Sequence, residues 1–159
     1  MFGVTMLPIV FELQSTAFAP GAPIPPRHTC TGEDRSPPLA WGEPPPNTAS
    51  FALILDDPDA PGRTWTHWTV WNLPAPTRSL PEGVTAAATG MVQGTNDFGN
   101  VGYGGPCPPP GHGAHRYFVR LYAVDKVLGL GVGASRVELQ AALKGHVLAS
   151  TELMGKFWR

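Results

Sequence analysis

Two histidines, a run of aspartates and a glycine-rich turn are the residues of this sequence whose types and spacing could do chemistry. In His115-Arg116-Tyr117-Phe118-Val119-Arg120-Leu121-Tyr122-Ala123, the two-residue period of a strand puts His115, Tyr117, Val119, Leu121 and Ala123 on one side. Arg116 and Arg120 fall on the other, so the His115/Tyr117 row is expected to face the core. A polar pair ending an apolar row points to a lined pocket or a satisfied internal hydrogen bond. The same alternation groups Trp65, His67, Thr69 and Trp71 and leaves His67 between two indoles. A histidine in such a row is most often a hydrogen-bonded structural residue, so neither imidazole makes a site alone.

Asp56-Asp57-Pro58-Asp59-Ala60-Pro61-Gly62 follows the apolar run Phe51 to Leu55 directly. Two prolines and a glycine make it a rigid strand-end turn. A carboxylate there could equally orient an imidazole or recognise a cationic group, and spacing does not separate these readings. Gly102-Tyr103-Gly104-Gly105-Pro106 can turn successive N–H groups into one concavity for an anion. It lacks the Gly-Lys-Ser/Thr ending and the following helix of a phosphate-binding loop, and for want of that helix it is no dinucleotide fingerprint. A zinc site from His28, Cys30, Cys107 and His112, or from His112 and His115, is disfavoured because the tight cysteine-pair spacing is missing. Cys30 and Cys107 are also open to pairing with each other; a reducing cytosol opposes that, with thermophile proteins the exception. No nucleophile elbow, zincin helix or Cys–His signature occurs, so an Asp/His phosphomonoesterase is the enzyme alternative and it lacks an evident nucleophile.

The elements that must position these residues follow from composition and period. One domain spanning 1–159 is expected for 159 residues, 42% of them hydrophobic and only 14% charged. Nineteen glycines and nineteen prolines argue against a helical bundle, because both interrupt helices at high cost. Strands are expected at Ile9 to Leu13, Phe51 to Leu55, Trp65 to Leu73 and Tyr117 to Val124. Ser135-Arg136-Val137-Glu138 is a capping box, and Gly145 stands where that helix should stop. Val147 to Trp158 returns to a strand pattern, with a break expected at Gly155. The fold class is mainly β: an antiparallel Greek-key β-sandwich with one or two short helices near the C-terminus. A net charge of −1 with no Lys/Arg run excludes a nucleic-acid or anionic-membrane footprint. The apolar stretch Met1 to Phe11 lacks a basic start and is too short for a span or secretion signal, so a cytoplasmic location is expected.

Taken together and in order, Asp57-Pro58-Asp59-Ala60-Pro61, His67-Trp68, Gly102-Tyr103-Gly104-Gly105-Pro106 and Gly113-Ala114-His115-Arg116-Tyr117 resemble the phosphatidylethanolamine-binding protein family, in its bacterial and archaeal Raf-kinase-inhibitor-like branch. Ser36-Pro37-Pro38-Leu39-Ala40-Trp41, Asn96-Asp97-Phe98-Gly99, Cys107-Pro108-Pro109 and Gly155-Lys156-Phe157 extend the likeness from about Ser15 to the C-terminus. The resemblance implies an anion pocket at one end of the strands, containing Asp57, His67, Gly105, Pro106, His115 and Tyr117, with Asp59 and Pro61 shaping its rim. His67, Tyr117 and the Gly105 N–H would donate to the anion, and Asp57 would hold one imidazole in its donating tautomer. The implied function is binding of a small anion, phosphate or a phospholipid head group such as phosphoethanolamine, without catalysis, cofactor or metal. A kinase or protease is the implied class of protein partner, and a homodimer the candidate assembly.

Overall fold

The computed structural model describes residues 10–159. Seven strands and one α-helix appear in the order β1 (Leu39–Ala40), β2 (Ser50–Asp57), β3 (Trp65–Pro74), β4 (Ser79–Leu80), β5 (Val92–Gln93), β6 (His115–Val124), α1 (Arg136–Leu143) and β7 (Val147–Phe157). They form a five-stranded antiparallel sheet, β5-β3-β2-β6-β7, and a two-stranded sheet, β1-β4. Within the larger sheet the order β6-β2-β3-β5 places the fourth strand beside the first, which is the Greek-key arrangement. The expected fold class is the observed one, with α1 as its C-terminal helix and a three-residue 3-10 turn at Pro26–His28 near the other end of the chain. The strand expected at Ile9 to Leu13 begins outside the described residues. Its described part forms no strand, and only an isolated bridge joins Gln14 to Ala40.

Burial explains this layering. All eight residues of β2 are buried, as its unbroken apolar run requires of a strand covered on both faces. Phe51, Leu53 and Leu55 pack with Trp68, Val70, Val119 and Leu121 and with Leu39, Trp41 and Leu80 of the smaller sheet's layer. Ala52 and Ile54 point oppositely, with Trp71, Leu128, Leu139 and Leu143, so α1 covers the second face. The helix starts where expected, because Ser135 accepts from the Glu138 N–H while the Glu138 carboxylate accepts from the Ser135 N–H. Beyond its end Gly145 takes φ 81°, a left-handed conformation that costs glycine nothing.

Gly155 is where expectation fails, since β7 runs through it unbroken and pairs it with Tyr117. A Cβ at that position would press on Ile24 and Phe18, so the glycine admits two core side chains against the strand and does not end it.

Strict alternation also fails in β3, at two register shifts against β2. Leu55 pairs with Trp68 but Asp56 with Thr66, which leaves His67 as an extra residue; nearer the other end an extra residue falls beside Asn72, whose φ is 57°. Trp65 is therefore level with Asp57, and His67 and Trp68 turn to the same face, whereas Thr69 and Trp71 belong to the opposite side. The rings flanking His67 are Phe98 and Tyr117, at centroid distances of 5.5 and 5.4 Å, and not two indoles.

Candidate functional site

The end of β2 divides two neighbouring carboxylates between the two faces of the sheet. Asp56 is buried on the α1 side, where Arg120 Nη1 lies 2.9 Å and Arg136 Nη1 2.7 Å from its oxygens. That network ties the first turn of α1 to the sheet. Asp57 lies on the other face beside a cavity of about 300 Å³ lined by Trp65, His67, Phe98, Cys107 and His115 among others. The alternation of one strand thus separates a structural aspartate from one at the candidate site.

Both oxygens of Asp57 are engaged. Oδ1 accepts the Asp59 N–H at 2.8 Å, closing the turn, and Oδ2 lies 2.6 Å from His115 Nδ1. With both residues more than nine-tenths buried, the carboxylate holds His115 with Nδ1–H toward it and Nε2 outward. His67 is oriented differently, because its Nδ1 donates to the Gly104 carbonyl at 2.6 Å. The imidazole that Asp57 orients is therefore that of His115. Burial pushes the His67 imidazole below the usual 6.5, against the raising effects of its Gly104 bond and of the Asp57 charge. Neutral His67 consequently presents an Nε2 lone pair, and becomes a donor there only on protonation.

Near the cavity two further buried donors lack a close hydrogen-bond partner: the indole N–H of Trp65, a lining residue, and the hydroxyl of Tyr117, which sits behind the lining toward the Asp57 carboxylate. The Tyr117 ring lies 6.4 Å from that of His115, and burial, followed by the Asp57 charge, pushes its phenol well above 10. A buried N–H or O–H left unpaired costs about 1–3 kcal/mol, so a ligand that accepts from it recovers part of that.

The glycine-rich loop is placed differently from expectation. The Gly105 N–H, expected to face an anion, donates to Asp34 Oδ1 at 2.9 Å. A Cβ on Gly105 would collide with that carboxylate and with the His28 carbonyl, so this glycine serves close packing of the loop on residues 28–34. The Pro106 carbonyl accepts from the Cys30 N–H. Neither Gly105 nor Pro106 lines the cavity; the next residues, Cys107, Pro108 and Pro109, form that wall. Cys107 is bonded to Cys30 across a separation of 77 residues, a closure worth about 4 kcal/mol on chain-entropy grounds. Disulfide sulfurs are not thiolate ligands, which removes the four-residue zinc reading.

At the rim Asp59 takes Arg116 in a fork, with Nε and Nη2 each 2.9 Å from a carboxylate oxygen. That pairing holds its carboxyl down to about 2. Pro61 lines the mouth beside Ala60, and Arg63 stands over the Trp65 ring at 5.1 Å. Sequence reasoning missed Trp65 as a donor although it had placed Trp65 beside His67. It weighed His112 only as a metal ligand and missed its contact with His115, Nδ1 to Nε2 at 2.6 Å.

Comparison with known proteins bears on the family and the fold. The phosphatidylethanolamine-binding protein family profile matches residues 14–158. A UPF0098 protein of Methanothermobacter thermautotrophicus is 49% identical over 93% of this chain and 99% of its own length. Among solved structures, the putative phosphatidylethanolamine-binding protein homolog CT736 of Chlamydia trachomatis superposes with a TM-score of 0.87 at 38% identity, covering 95% of this chain and 99% of the other. Escherichia coli YbcL, a member of the mammalian PEBP family, reaches the same TM-score at 34% identity over 94% of this chain and 98% of its own. The match spans both strands that carry the histidines and the turn that carries Asp57. This chain belongs to the phosphatidylethanolamine-binding protein family.

Proposed function

We propose that this protein binds a small anion of the phosphate or phosphate-monoester head-group class in the cavity beside His67 and His115, without turning it over. The observation that carries the reading is the buried, unpartnered Trp65 indole N–H in the wall of a cavity that two oriented imidazoles also line. Donors without acceptors call for a ligand made of acceptors, and charge-assisted bonds of that kind are each worth roughly 1.5–3 kcal/mol. The cavity walls are otherwise apolar, with Ala60, Pro61, Phe98, Pro108 and Pro109, which suits an anion carried on an organic group better than a free hydrated ion. A phospholipid head group and a free phosphomonoester share that chemistry.

Turnover has little support in the same geometry. Among the described residues, Asp57 is the one carboxylate lining the cavity and has both oxygens committed, and the one lining sulfur is in the disulfide. Calorimetry should record saturable binding of both sulfate and phosphoethanolamine, and prolonged incubation with an aryl phosphomonoester should release no phosphate. Enzyme-proportional phosphate release that is lost in His115→Ala would replace this reading with the hydrolase one. A protein partner, of the kinase or protease class, would on this reading sense whether the cavity is filled.

A further inference from the structure

His112 lies outside everything the anion reading uses, yet it touches the nitrogen that reading needs most. Its Nδ1 is 2.6 Å from His115 Nε2, and the two rings meet at a centroid distance of 4.8 Å and an interplanar angle of 64°. With His115 Nδ1 given to Asp57, Nε2 is the only polar atom His115 has left for a ligand. An atom spent on His112 is not available to an anion.

The segment carrying His112 is exposed at every residue from 109 to 114. Gly111 and Gly113 flank it with φ of 75° and 86°, and neither would meet any atom with an added Cβ. Glycines in open space on both sides of one exposed side chain provide hinges that cost nothing to neighbouring packing. Backbone bonds from the Gly111 N–H to the Arg159 carbonyl and from the His112 N–H to the Pro109 carbonyl hold the base of the loop, while the His112 side chain is tied by its contact with His115.

We propose that His112 is a latch on the anion site: its ring occupies Nε2 of His115, and an anion reaches His115 only when His112 turns out to solvent. The proposal rests on the anion reading of the cavity and adds its regulation. A single proton lies between the two ring nitrogens, so one ring donates and the other accepts. When both facing nitrogens carry protons they repel, and the latch opens. The charged and titratable groups around the pair are Asp57 on β2, Asp59 after it, His67 on β3, Arg116 and Tyr117 on β6, and Arg159 at the C-terminus. The anion and the His112 ring therefore compete for one nitrogen of His115.

The test uses the full chain, sulfate as probe, and His112→Ala beside the wild type. His112→Ala should bind sulfate roughly threefold to tenfold more tightly, the equilibrium value of one net hydrogen bond no longer broken. In the unliganded wild type, nitrogen-15 spectra of the imidazoles should show one proton coupled to both His112 Nδ1 and His115 Nε2, and sulfate should erase it. Weaker binding by His112→Ala would make His112 a ligand and overturn the latch alone, as would a shared-proton signal that survives sulfate saturation. No sulfate binding by either protein would overturn the anion reading and the latch with it.

Discussion

His115→Ala is expected to destabilise the fold by about 3–5 kcal/mol and to remove anion binding. The stability loss comes from the aspartate left behind. Asp57 is 3% exposed, and without His115 its Oδ2 loses the partner at 2.6 Å. Removing one member of a buried pair leaves an uncompensated charge and costs far more than removing both. For a chain of this size the shift corresponds to a melting temperature lower by roughly 10 °C. The double variant Asp57→Ala/His115→Ala should be less damaged than the sum of the singles, the sign of coupling between touching groups. Chemical denaturation of the four proteins checks this; additivity within about 0.5 kcal/mol would mean that the two side chains do not act as a unit. Binding would fall for a separate reason, the loss of the imidazole edge at Nε2 that faces the ligand.

Sulfate affinity should fall as pH rises, by up to about tenfold per unit for each proton taken up on binding. Sulfate keeps its charge from about pH 5 to about pH 8, the range in which histidines titrate, so the dependence belongs to the protein. His67 supplies the argument. Its folded value lies below 6.5 because burial disfavours the charged ring, so it enters the binding reaction neutral and must gain a proton to donate from Nε2. Stability without ligand follows the linked sign. Between the lowered folded value and the unfolded value of 6.5 the unfolded chain binds more protons, so this contribution is complete above pH 6.5 and is lost as pH falls toward the folded value. Saturating sulfate should offset that loss on acidification. Thermal melts with and without sulfate across this range check both signs, and a pH-independent affinity would remove the imidazoles from the binding step.

Much of this architecture was legible in the residues because local signals agreed with long-range packing. The run Phe51 to Leu55 is apolar at every position, and β2 is buried at every position. Ser135 and Glu138 cap α1 as their spacing implies. The rows of β6 alternate as read, because its pairing with β2 runs without a shift. In β3 the reading broke down at His67, where a bulge breaks the period of two and no residue type announces it. The bulge is also what turns His67 and Trp68 to one face, so the irregularity builds the candidate site.

The donor assigned to Gly105 was misplaced for a related reason. Glycine permits both a nest and a close approach, and only the long-range position of Asp34 decides between them. The Cys30–Cys107 bond was undecidable from a separation of 77 residues, since pairing depends on whether two distant loops meet. His112 could be read as a metal ligand three residues from His115, but its contact with His115 Nε2 depends on the curl of the loop between two left-handed glycines.

The central claim is that an anion is held between His67 and His115, and the imidazole nitrogens report on it directly. In a sulfate titration at about pH 6, Nε2 of His67 and Nε2 of His115 should shift together with one common saturation point. His28, whose Nδ1 faces the Arg35 carbonyl, and His146, which faces Asp125, should stay silent. Saturable sulfate binding that moves only His28 or His146, and leaves His67 and His115 unchanged, would contradict the account.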